Sequence, residues 1–392
     1  MKYILYLFAL CLLISCESFR VSKNQSYSES VEHPFKFNLL NNQIHCDVFN
    51  DSIKYDFMFD TGASRTLIFN DSLKKNSKLY GKASKIKLAY KNSASFSKAT
   101  ANLDYQFLNV DNKEVRLGKF PQSTKCDEVD LDGIIGVDLF DFYFTDTTKY
   151  IYSLSFSDST ITVYDTLTAV KTLNLYDSIN SKFGPNHFSI YLTIDGCEKP
   201  LKCLFDTGFD YSLIIKDKKN LENISLKDSV CILRKLMFLE TSKGKLLSKK
   251  QQELELFKTN ININEIKINE GVIYSDLFFK NIVGMQFIKN FDWIIDVKHK
   301  QVYFKPNNVK HNLQNLYSLM YNLDFTLSVK DDKLYINQVN KNFTKYKLGA
   351  IIKSVNGIEV TPENVCELKT QAYASSTNVQ LEFEGNFLDD EK

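Results

Sequence analysis

The sequence predicts a mainly β chain in which two similar lobes are followed by a smaller β module. Three observations predict it. Strand-forming residues abound, with 21 Tyr and 30 Phe among 392 residues, and aromatic side chains favour strands. A short Phe-Asp-Thr-Gly phrase occurs twice, and an apolar-apolar-Gly phrase follows each copy. Self-similarity on this scale indicates two copies of one folded unit.

The repeated phrase stands at the end of an apolar run. Residues 59–64 read Phe-Asp-Thr-Gly-Ala-Ser, and residues 205–210 read Phe-Asp-Thr-Gly-Phe-Asp. An apolar run that ends in Asp places the carboxylate at the end of a buried strand, and Gly lets the chain turn where a Cβ would clash. Thr offers a hydroxyl and a backbone donor to fix the carboxylate. The sequence therefore predicts that Asp60 and Asp206 meet at one site.

Two carboxylates in contact cannot both ionise easily, so one proton is shared between them. Such a pair can hold a water molecule, accept its proton and donate one to a leaving amine. We therefore assign catalysis to Asp60 and Asp206. The residues expected to support them in the two loops are Thr61, Gly62, Ser64, Thr207 and Gly208.

The second phrase extends the repeat over a whole lobe. Residues 134–139 read Ile-Ile-Gly-Val-Asp-Leu and residues 282–287 read Ile-Val-Gly-Met-Gln-Phe, at intervals from their Asp-Thr-Gly that differ by only two residues. Each copy also begins with a predicted hairpin and ends in a strand-like run. The hairpins cover 44–59 and 188–205, turning near residues 50–51 and 195–196, and the runs cover 150–156 and 301–304.

These motifs resemble those of the pepsin and retropepsin superfamily of aspartic peptidases, over residues 33–306. The resemblance implies a bilobal pair of β-barrel lobes, at 33–165 and 166–306. It also implies an aspartic-type endopeptidase that acts on polypeptides without a cofactor. In that family the apolar-apolar-Gly segment packs under the catalytic loop. A hairpin carrying a Tyr closes over the substrate, and region 82–107 has the corresponding place, with Tyr90 and Tyr105 as candidates or simply as strand-face residues.

The second copy departs from the family pattern. The family has a small residue after Asp-Thr-Gly; Ala63 complies, whereas Phe209 does not. The Phe209 side chain either narrows the cleft or points into the core of its lobe, and Asp210 is expected to raise the proton affinity of the pair. A second function therefore stays open, a non-catalytic envelope protein that binds peptides or proteins in the same cleft and in the C-terminal module.

Composition excludes several other classes. With 49 basic and 47 acidic residues the net charge is +2, which favours neither nucleic acid nor anionic lipid as a partner. No Cys/His cluster has metal-ligand spacing, so we expect no bound metal. We also expect the protein to be a monomer. The cysteines beyond the N-terminus permit disulfides without a motif to pair them. Cys197 and Cys203 are expected on one strand, too far apart to bond to each other.

The N-terminus resembles a bacterial lipoprotein signal. An apolar stretch at 3–14, too short to span a bilayer, ends in Leu-Ile-Ser-Cys at residues 13–16. The interpretation is a signal peptide at 1–15, a lipidated Cys16 and a Ser-rich tether at 16–32, with the protein anchored by lipid in the bacterial envelope, at the periplasmic face or the cell surface. The alternative is a plain secretory signal in which Cys16 has no role.

After a polar linker at 307–317, residues 318–388 predict strands at 325–329, 333–339, 350–357 and 378–383 and a helix near 362–373. Residues 348–357, Leu-Gly-Ala-Ile-Ile-Lys-Ser-Val-Asn-Gly, resemble a stretch of PDZ domains, although the usual Gly-Asp is Gly-Ala here. The resemblance implies a small β-barrel with one or two helices. It also implies a loop that captures a peptide C-terminus, at Leu323, Asp324 and Phe325. We expect a separable unit; the alternative is a module that only braces the lobes.

Overall fold

The computed structural model describes residues 34–40, 42–87, 93–105, 109–118, 126, 131–140, 151–164, 173–184, 187–217, 231–240, 246–276, 278–309, 325–340, 346–374 and 379–384. The predicted signal peptide, Cys16, the tether, most of the linker, Tyr90, Leu323 and Asp324 lie outside them. The protein is mainly β, with 56% strand and 10% helix, and its sheets include a six-stranded barrel. The mainly β fold class is thereby confirmed.

The first repeat opens with the predicted hairpin. Its elements in chain order are β1 (Phe35–Leu40), β2 (Gln43–Asn50), β3 (Ile53–Phe59), β4 (Leu67–Ile68), α1 (Asp71–Lys75), β5 (Lys78–Lys87), β6 (Ser93–Asp104), β7 (Asn109–Leu117), β8 (Gly133–Ile135), β9 (Ile151–Ser155) and β10 (Thr160–Tyr164). β2 and β3 are antiparallel, and Asp51 and Ser52 turn the chain with positive φ angles of 50° and 67°. Alternate residues of β2, namely Ile44, Cys46 and Val48, are buried, as expected for a strand with one face on the core.

The second repeat has the same strand order as the first. Its strands are β11 (Asp177–Ile179), β12 (Ser181–Phe183), β13 (Phe188–Ile194), β14 (Leu201–Phe205), β15 (Leu213–Ile215), β16 (Cys231–Glu240), β17 (Leu246–Ile263), β18 (Ile266–Tyr274), β19 (Asn281–Val283), β20 (Phe291–Asp296) and β21 (Gln301–Pro306), with α2 (Met285–Ile288) after β19. The order β2-β3-β8-β4-β7-β6-β5 becomes β13-β14-β19-β15-β18-β17-β16. The repeat in the sequence is therefore a repeat of topology.

A sheet of strands from both repeats joins them, in the order β11-β21-β20-β9-β10-β1. Trp293 of β20 pairs with Leu154 of β9, and its fully buried ring lies 4.9 Å from that of Phe205 and 5.5 Å from that of Phe291. Its indole donates to the Ile288 carbonyl at 2.8 Å. One apolar cluster thus crosses from one repeat to the other, and it lies beneath the strand that carries Asp206.

The C-terminal module has its own apolar cluster. Its elements are β22 (Phe325–Lys330), β23 (Lys333–Asn340), β24 (Ile351–Val355), β25 (Ile358–Glu359), α3 (Val365–Ala374) and β26 (Leu381–Phe383). The structure has strands and a helix in the predicted regions, but the predicted strand at 350–357 is too long, because β24 ends at Val355, and the last strand begins only at Leu381. Asn356 and Gly357 have φ angles of 50° and 79°, the left-handed pair that a two-residue hairpin turn between β24 and β25 requires.

The module is attached to both repeats. Strand β23 pairs with β16 of the second repeat, with Leu233 opposite Asn340. A disulfide between Cys126 and Cys366 joins the connection between β7 and β8 of the first repeat to α3, over a sequence separation of 240 residues. Sequence reasoning had no motif to predict this pairing. The module that we expect to be a separable unit is therefore joined to the repeats by one disulfide and by one pair of strands.

The prediction for Cys197 and Cys203 is partly wrong. Cys203 lies in β14, but Cys197 lies in the turn before it, because the chain leaves β13 at Ile194. The two thiols form no disulfide with each other, as expected.

Candidate active site

Asp60 and Asp206 occupy equivalent positions, each directly after the last residue of a buried strand. The backbone amide of Asp60 donates to the Ile135 carbonyl at 3.0 Å, and that of Asp206 donates to the Val283 carbonyl at 3.0 Å. These acceptors lie in β8 and β19, the strands of the two apolar-apolar-Gly phrases. Each phrase therefore holds the end of an Asp strand.

The glycine after each Asp-Thr allows the opposite carboxylate to approach. A Cβ added at Gly62 would collide with the Asp206 carboxylate, and one added at Gly208 would collide with the Asp60 carboxylate. The two carboxyl groups are close enough for each to shift the pKa of the other. The structure thus brings together the two aspartates that the sequence places far apart.

Thr61 and Thr207 hold the two loops together by reciprocal hydrogen bonds. The Thr61 hydroxyl donates to the Phe205 carbonyl at 2.9 Å and accepts from the Thr207 amide at 3.0 Å. The Thr207 hydroxyl donates to the Phe59 carbonyl at 2.8 Å and accepts from the Thr61 amide at 3.0 Å. The sequence predicts that each Thr hydroxyl bonds to the Asp beside it. This prediction is wrong, because both hydroxyls donate to a carbonyl of the other repeat.

Backbone amides, and not the Thr hydroxyls, donate hydrogen bonds to each Asp carboxylate. Asp60 Oδ1 accepts from the Gly62 amide at 2.7 Å and from the Ala63 amide at 3.1 Å, and Asp206 Oδ1 accepts from the Gly208 amide at 3.1 Å. Burial raises the pKa of Asp60, while the hydrogen bond from Asp206 and these amides lower it. The better supply of donors makes Asp60 the more favourable site for the negative charge.

The surroundings of Asp206 favour its protonated form. Burial raises the pKa of Asp206 well above its usual range, and the neighbouring Asp60 charge and Asp210 raise it further. The predicted direction of the Asp210 effect is therefore confirmed. A pair with one strongly raised pKa holds a single proton over a wide pH range, and the direction of these shifts favours Asp206 as the carboxyl that carries it.

Phe209 packs into an apolar cluster of the second repeat. It is 7% exposed, and its ring centroid lies 5.2 Å from that of Tyr211 and 5.9 Å from that of Phe278. Ile214 and Leu256 belong to the same cluster. Of the two predicted alternatives, the structure therefore has the side chain pointing into a core.

The apolar-apolar-Gly phrases pack directly against the two loops. A Cβ at Gly136 would lie 2.5 Å from the Arg65 backbone, and one at Gly284 would collide with the carbonyl oxygens of Phe209 and Tyr211. Glycine is needed at both positions because the backbone of the loop leaves no room for a side chain.

A buried ion pair lies beneath the Asp60 loop, and sequence reasoning missed it. Lys113 Nζ lies 3.3 Å from Asp138 Oδ2 and donates to the Asp138 carbonyl at 2.6 Å. The Thr66 hydroxyl donates to Asp138 Oδ1 at 3.0 Å. The sequence contains one signal for this ion pair: Asp138 is an acidic residue two positions after Gly136, in an otherwise apolar run. This network anchors the far end of the loop that begins at Asp60.

The second repeat has a different set of polar groups at the corresponding place. The Ser212 hydroxyl donates to Glu270 Oε2 at 2.8 Å, and burial raises the pKa of Glu270. Lys289 Nζ donates to Gln286 at 3.1 Å and to Asn42 of the first repeat at 3.3 Å. Burial lowers the pKa of Lys289 to about 8. No equally close Lys–carboxylate pair supports the Asp206 loop among the residues that the structure describes.

The remaining predicted site residues have more ordinary places. Ser64 lies partly buried in the Asp60 loop. Tyr105 is fully buried in the core of the first repeat, so it is not the candidate lid residue. Phe325 begins β22 and packs in the core of the module, where its ring lies 4.7 Å from that of Tyr346.

Comparison of this sequence with known protein families and with characterised proteins finds no match. Within the described ranges, no three His, Cys, Asp or Glu side chains are grouped so that they could hold a metal ion. In the same ranges, no helix has the length and apolar character needed to cross a membrane.

Proposed function

We propose that the protein is an aspartic endopeptidase whose catalytic groups are Asp60 and Asp206. The observation that carries this proposal is the mutual approach of the two carboxylates, each against the glycine of the opposite loop, in a pair with raised pKa values. The matched strand order of the repeats and the sheet that joins them support a pepsin- or retropepsin-like bilobal arrangement.

The unequal proton affinities assign a role to each carboxylate. Asp60, the carboxylate, accepts a proton from a water molecule while the water oxygen bonds to the carbonyl carbon of the substrate. Asp206 donates its proton to the carbonyl oxygen as the C=O π bond breaks. When the tetrahedral intermediate collapses, the proton on Asp60 passes to the leaving nitrogen, the C–N bond breaks, and Asp206 regains its proton from the hydroxyl.

The environment of the enzyme follows from its N-terminal sequence. We infer that Cys16 is acylated and anchors the protein in the bacterial envelope, since a diacyl chain gives stable attachment. Metabolic labelling with a fatty-acid analogue should mark the wild type and not Cys16→Ala. Equal labelling of both proteins would refute lipidation at Cys16.

The C-terminal module is proposed to recruit polypeptide substrates, in the manner of a PDZ domain. In the described residues β22 pairs with β23 alone, and α3 packs beside β22. An extended peptide can add to such a strand edge. Fluorescence anisotropy with peptides that have free or amidated C-termini tests this proposal, which predicts weaker binding of the amidated form.

The peptidase proposal is tested by incubating residues 17–392 with a diverse peptide pool from acid to neutral pH, beside Asp60→Asn. Mass spectrometry should find cleavage products for the wild type and none for the variant. The alternative of a non-catalytic binding protein rested on Phe209 and Asp210, and the packing of the Phe209 ring in an apolar cluster removes the first of these two grounds. Identical product patterns from both proteins would refute the peptidase proposal.

A further inference from the structure

Phe209 and Ala63 occupy equivalent positions, each directly after an Asp-Thr-Gly, and their backbones are held in the same way. The carbonyl of Phe209 accepts from the Met285 amide at 2.7 Å, and the carbonyl of Ala63 accepts from the Val137 amide at 3.0 Å. Met285 and Val137 each follow the glycine of an apolar-apolar-Gly phrase. At these two positions the loops therefore differ in the side chain and not in the backbone.

The Phe209 side chain is enclosed by its own repeat. Its ring centroid lies 5.9 Å from that of Phe278, and a Cβ added at Gly284 would lie 2.8 Å from its Cδ1 atom. Leu254 and Leu256 of β17 belong to the same apolar cluster. Because protein interiors are close-packed, a ring enclosed in this way restricts the movement of the backbone that carries it.

In the first repeat, the aromatic ring of the corresponding cluster comes from another element. That cluster contains the fully buried Phe96 of β6, and Ala63 packs against it with only a methyl group. Strand β6 has the place in the first repeat that β17 has in the second. The ring near the first loop thus belongs to a neighbouring strand, whereas the ring near the second loop belongs to the loop itself.

The polar groups beneath the two loops differ in the opposite sense. Beneath the Asp60 loop, Lys113 Nζ lies 3.3 Å from Asp138 Oδ2. At the corresponding place in the second repeat, the Ser212 hydroxyl donates to Glu270 at 2.8 Å, and burial raises the pKa of Glu270. An ion pair therefore supports the first loop, and the Phe209 ring is the larger anchor of the second.

We propose that Phe209 is a positioning residue for Asp206, whose ring in the apolar cluster fixes the loop that carries this carboxyl group. The inference rests on the proposed peptidase function, because the approach of Asp206 to Asp60 defines the position that matters. The ring acts through the loop, since Phe209 is only 7% exposed. Small displacements of a catalytic group lower the rate strongly.

Phe278 supplies the matched control, because its ring belongs to the same cluster but not to the Asp206 loop. Phe209→Ala and Phe278→Ala each remove one buried ring, so the Tm should fall by similar amounts. We expect Phe209→Ala to lower kcat on a short peptide about tenfold or more, with KM changed less than about threefold. Phe278→Ala should lower kcat less than about threefold. Phe209→Met keeps a long apolar side chain and should recover most of the loss.

Two kinetic outcomes would overturn the proposal. Equal losses of kcat in Phe209→Ala and Phe278→Ala would mean that only the filling of the cluster matters. A raised KM with unchanged kcat in Phe209→Ala would mean that the ring contacts the substrate instead of holding the loop. Phe209→Val and Phe278→Val give the same comparison with smaller cavities if the Ala variants do not fold.

Hydrogen exchange gives a readout that does not depend on activity. The Met285 amide donates to the Phe209 carbonyl, and the Gly284 amide donates to the Ser212 carbonyl at 2.9 Å, so both amides exchange when the loop separates from this segment. Phe209→Ala should raise their exchange rates about tenfold over the wild type, and Phe278→Ala by less than about threefold.

This measurement separates the role of Phe209 from the proposed function. Equal exchange rates in Phe209→Ala and Phe278→Ala would overturn the inference about Phe209 even if the chain is a peptidase. A chain that cleaves no peptide but shows the difference in exchange would refute the proposed function and keep the anchoring of the loop by Phe209.

Discussion

The loop at Asp60 and the loop at Asp206 share a backbone and differ in what surrounds it. In both, a glycine amide supports the carboxylate and a Thr hydroxyl reaches across to the other strand. The first loop has an additional amide donor, from Ala63, whereas the second has the negative charge of Asp210 nearby. The comparison teaches that a repeated scaffold can orient two identical carboxyl groups while their neighbours shift the pKa values of the two groups to different extents.

The largest expected effect comes from removing either carboxylate. Asp206→Asn and Asp60→Asn should each lower kcat by about a thousandfold or more, and the double variant should be no worse, because the two groups act as a unit. Single-turnover assays at several pH values measure this. If Asp206→Asn retained cleavage while Asp60→Asn was inactive, the second repeat would be only a scaffold, and two chains would have to pair to build the site.

The polar groups beneath the loops should differ in their contribution to stability. Lys113→Met leaves the buried Asp138 carboxylate without its partner and should lower the free energy of unfolding by about 3–5 kcal/mol. Glu270→Gln keeps an acceptor for Ser212 and replaces a group whose pKa burial already raises, so we expect a loss below about 1 kcal/mol. Urea unfolding at neutral pH measures both losses.

The pH dependence sharpens this second comparison. A carboxyl group whose folded pKa is raised contributes stability that is present below its unfolded pKa, about 4.3 for Glu, and is lost as the pH rises through the folded value. Glu270→Gln should therefore become more stable relative to the wild type as the pH rises. A pH-independent difference, or equal losses for Lys113→Met and Glu270→Gln, would contradict the distinction between the two loops.

The two attachments of the C-terminal module offer a smaller test. Cys126→Ser breaks the covalent tie to the first repeat and leaves the β16–β23 pairing to the second. We expect the free energy of unfolding to fall by about 2–4 kcal/mol, with cleavage of a protein substrate reduced more than cleavage of a short peptide. Reductant should reproduce the effect in the wild type and change nothing in Cys126→Ser. Complete loss of short-peptide cleavage by a folded variant would mean that the module completes the active site.

The smallest expected effect is a shift of the alkaline limb. Asp210 raises the pKa of Asp206, so Asp210→Asn should let the shared proton leave at lower pH and move the alkaline limb of kcat downward. Asp177→Asn, at an exposed residue of β11, is the control and should leave the limb in place. An unchanged limb in Asp210→Asn would mean that solvent screens this charge.

Local patterns predicted the elements that depend on neighbouring residues. The hairpin around Asp51 and the two strands that end in Asp follow from alternation and turn chemistry, and the structure has both. The position of Cys197 could not be predicted as well, because the spacing of two cysteines does not reveal where a strand begins.

Contacts between distant segments were predicted less well. The Thr hydroxyls were assigned to their own loops, although a hydroxyl next to a carboxylate and one aimed at a strand from the other repeat look the same in sequence. Phe209 had two possible environments until its cluster with Phe278 was placed. The pairing of Cys126 with Cys366 likewise required the position of α3.

The sequence by itself determined that this chain has two equivalent apolar strands that end in Asp-Thr-Gly, because strand alternation and turn chemistry are local. That an apolar-apolar-Gly segment holds each of them was implied by the family resemblance. Only the tertiary structure decided that Thr61 and Thr207 bond across the repeats and that Lys113 pairs with the buried Asp138 carboxylate. The physical reason is that burial and hydrogen-bond partners depend on which distant strands become neighbours. The unequal proton affinities of Asp60 and Asp206 arise from those neighbours, since the two motifs are the same through Asp-Thr-Gly.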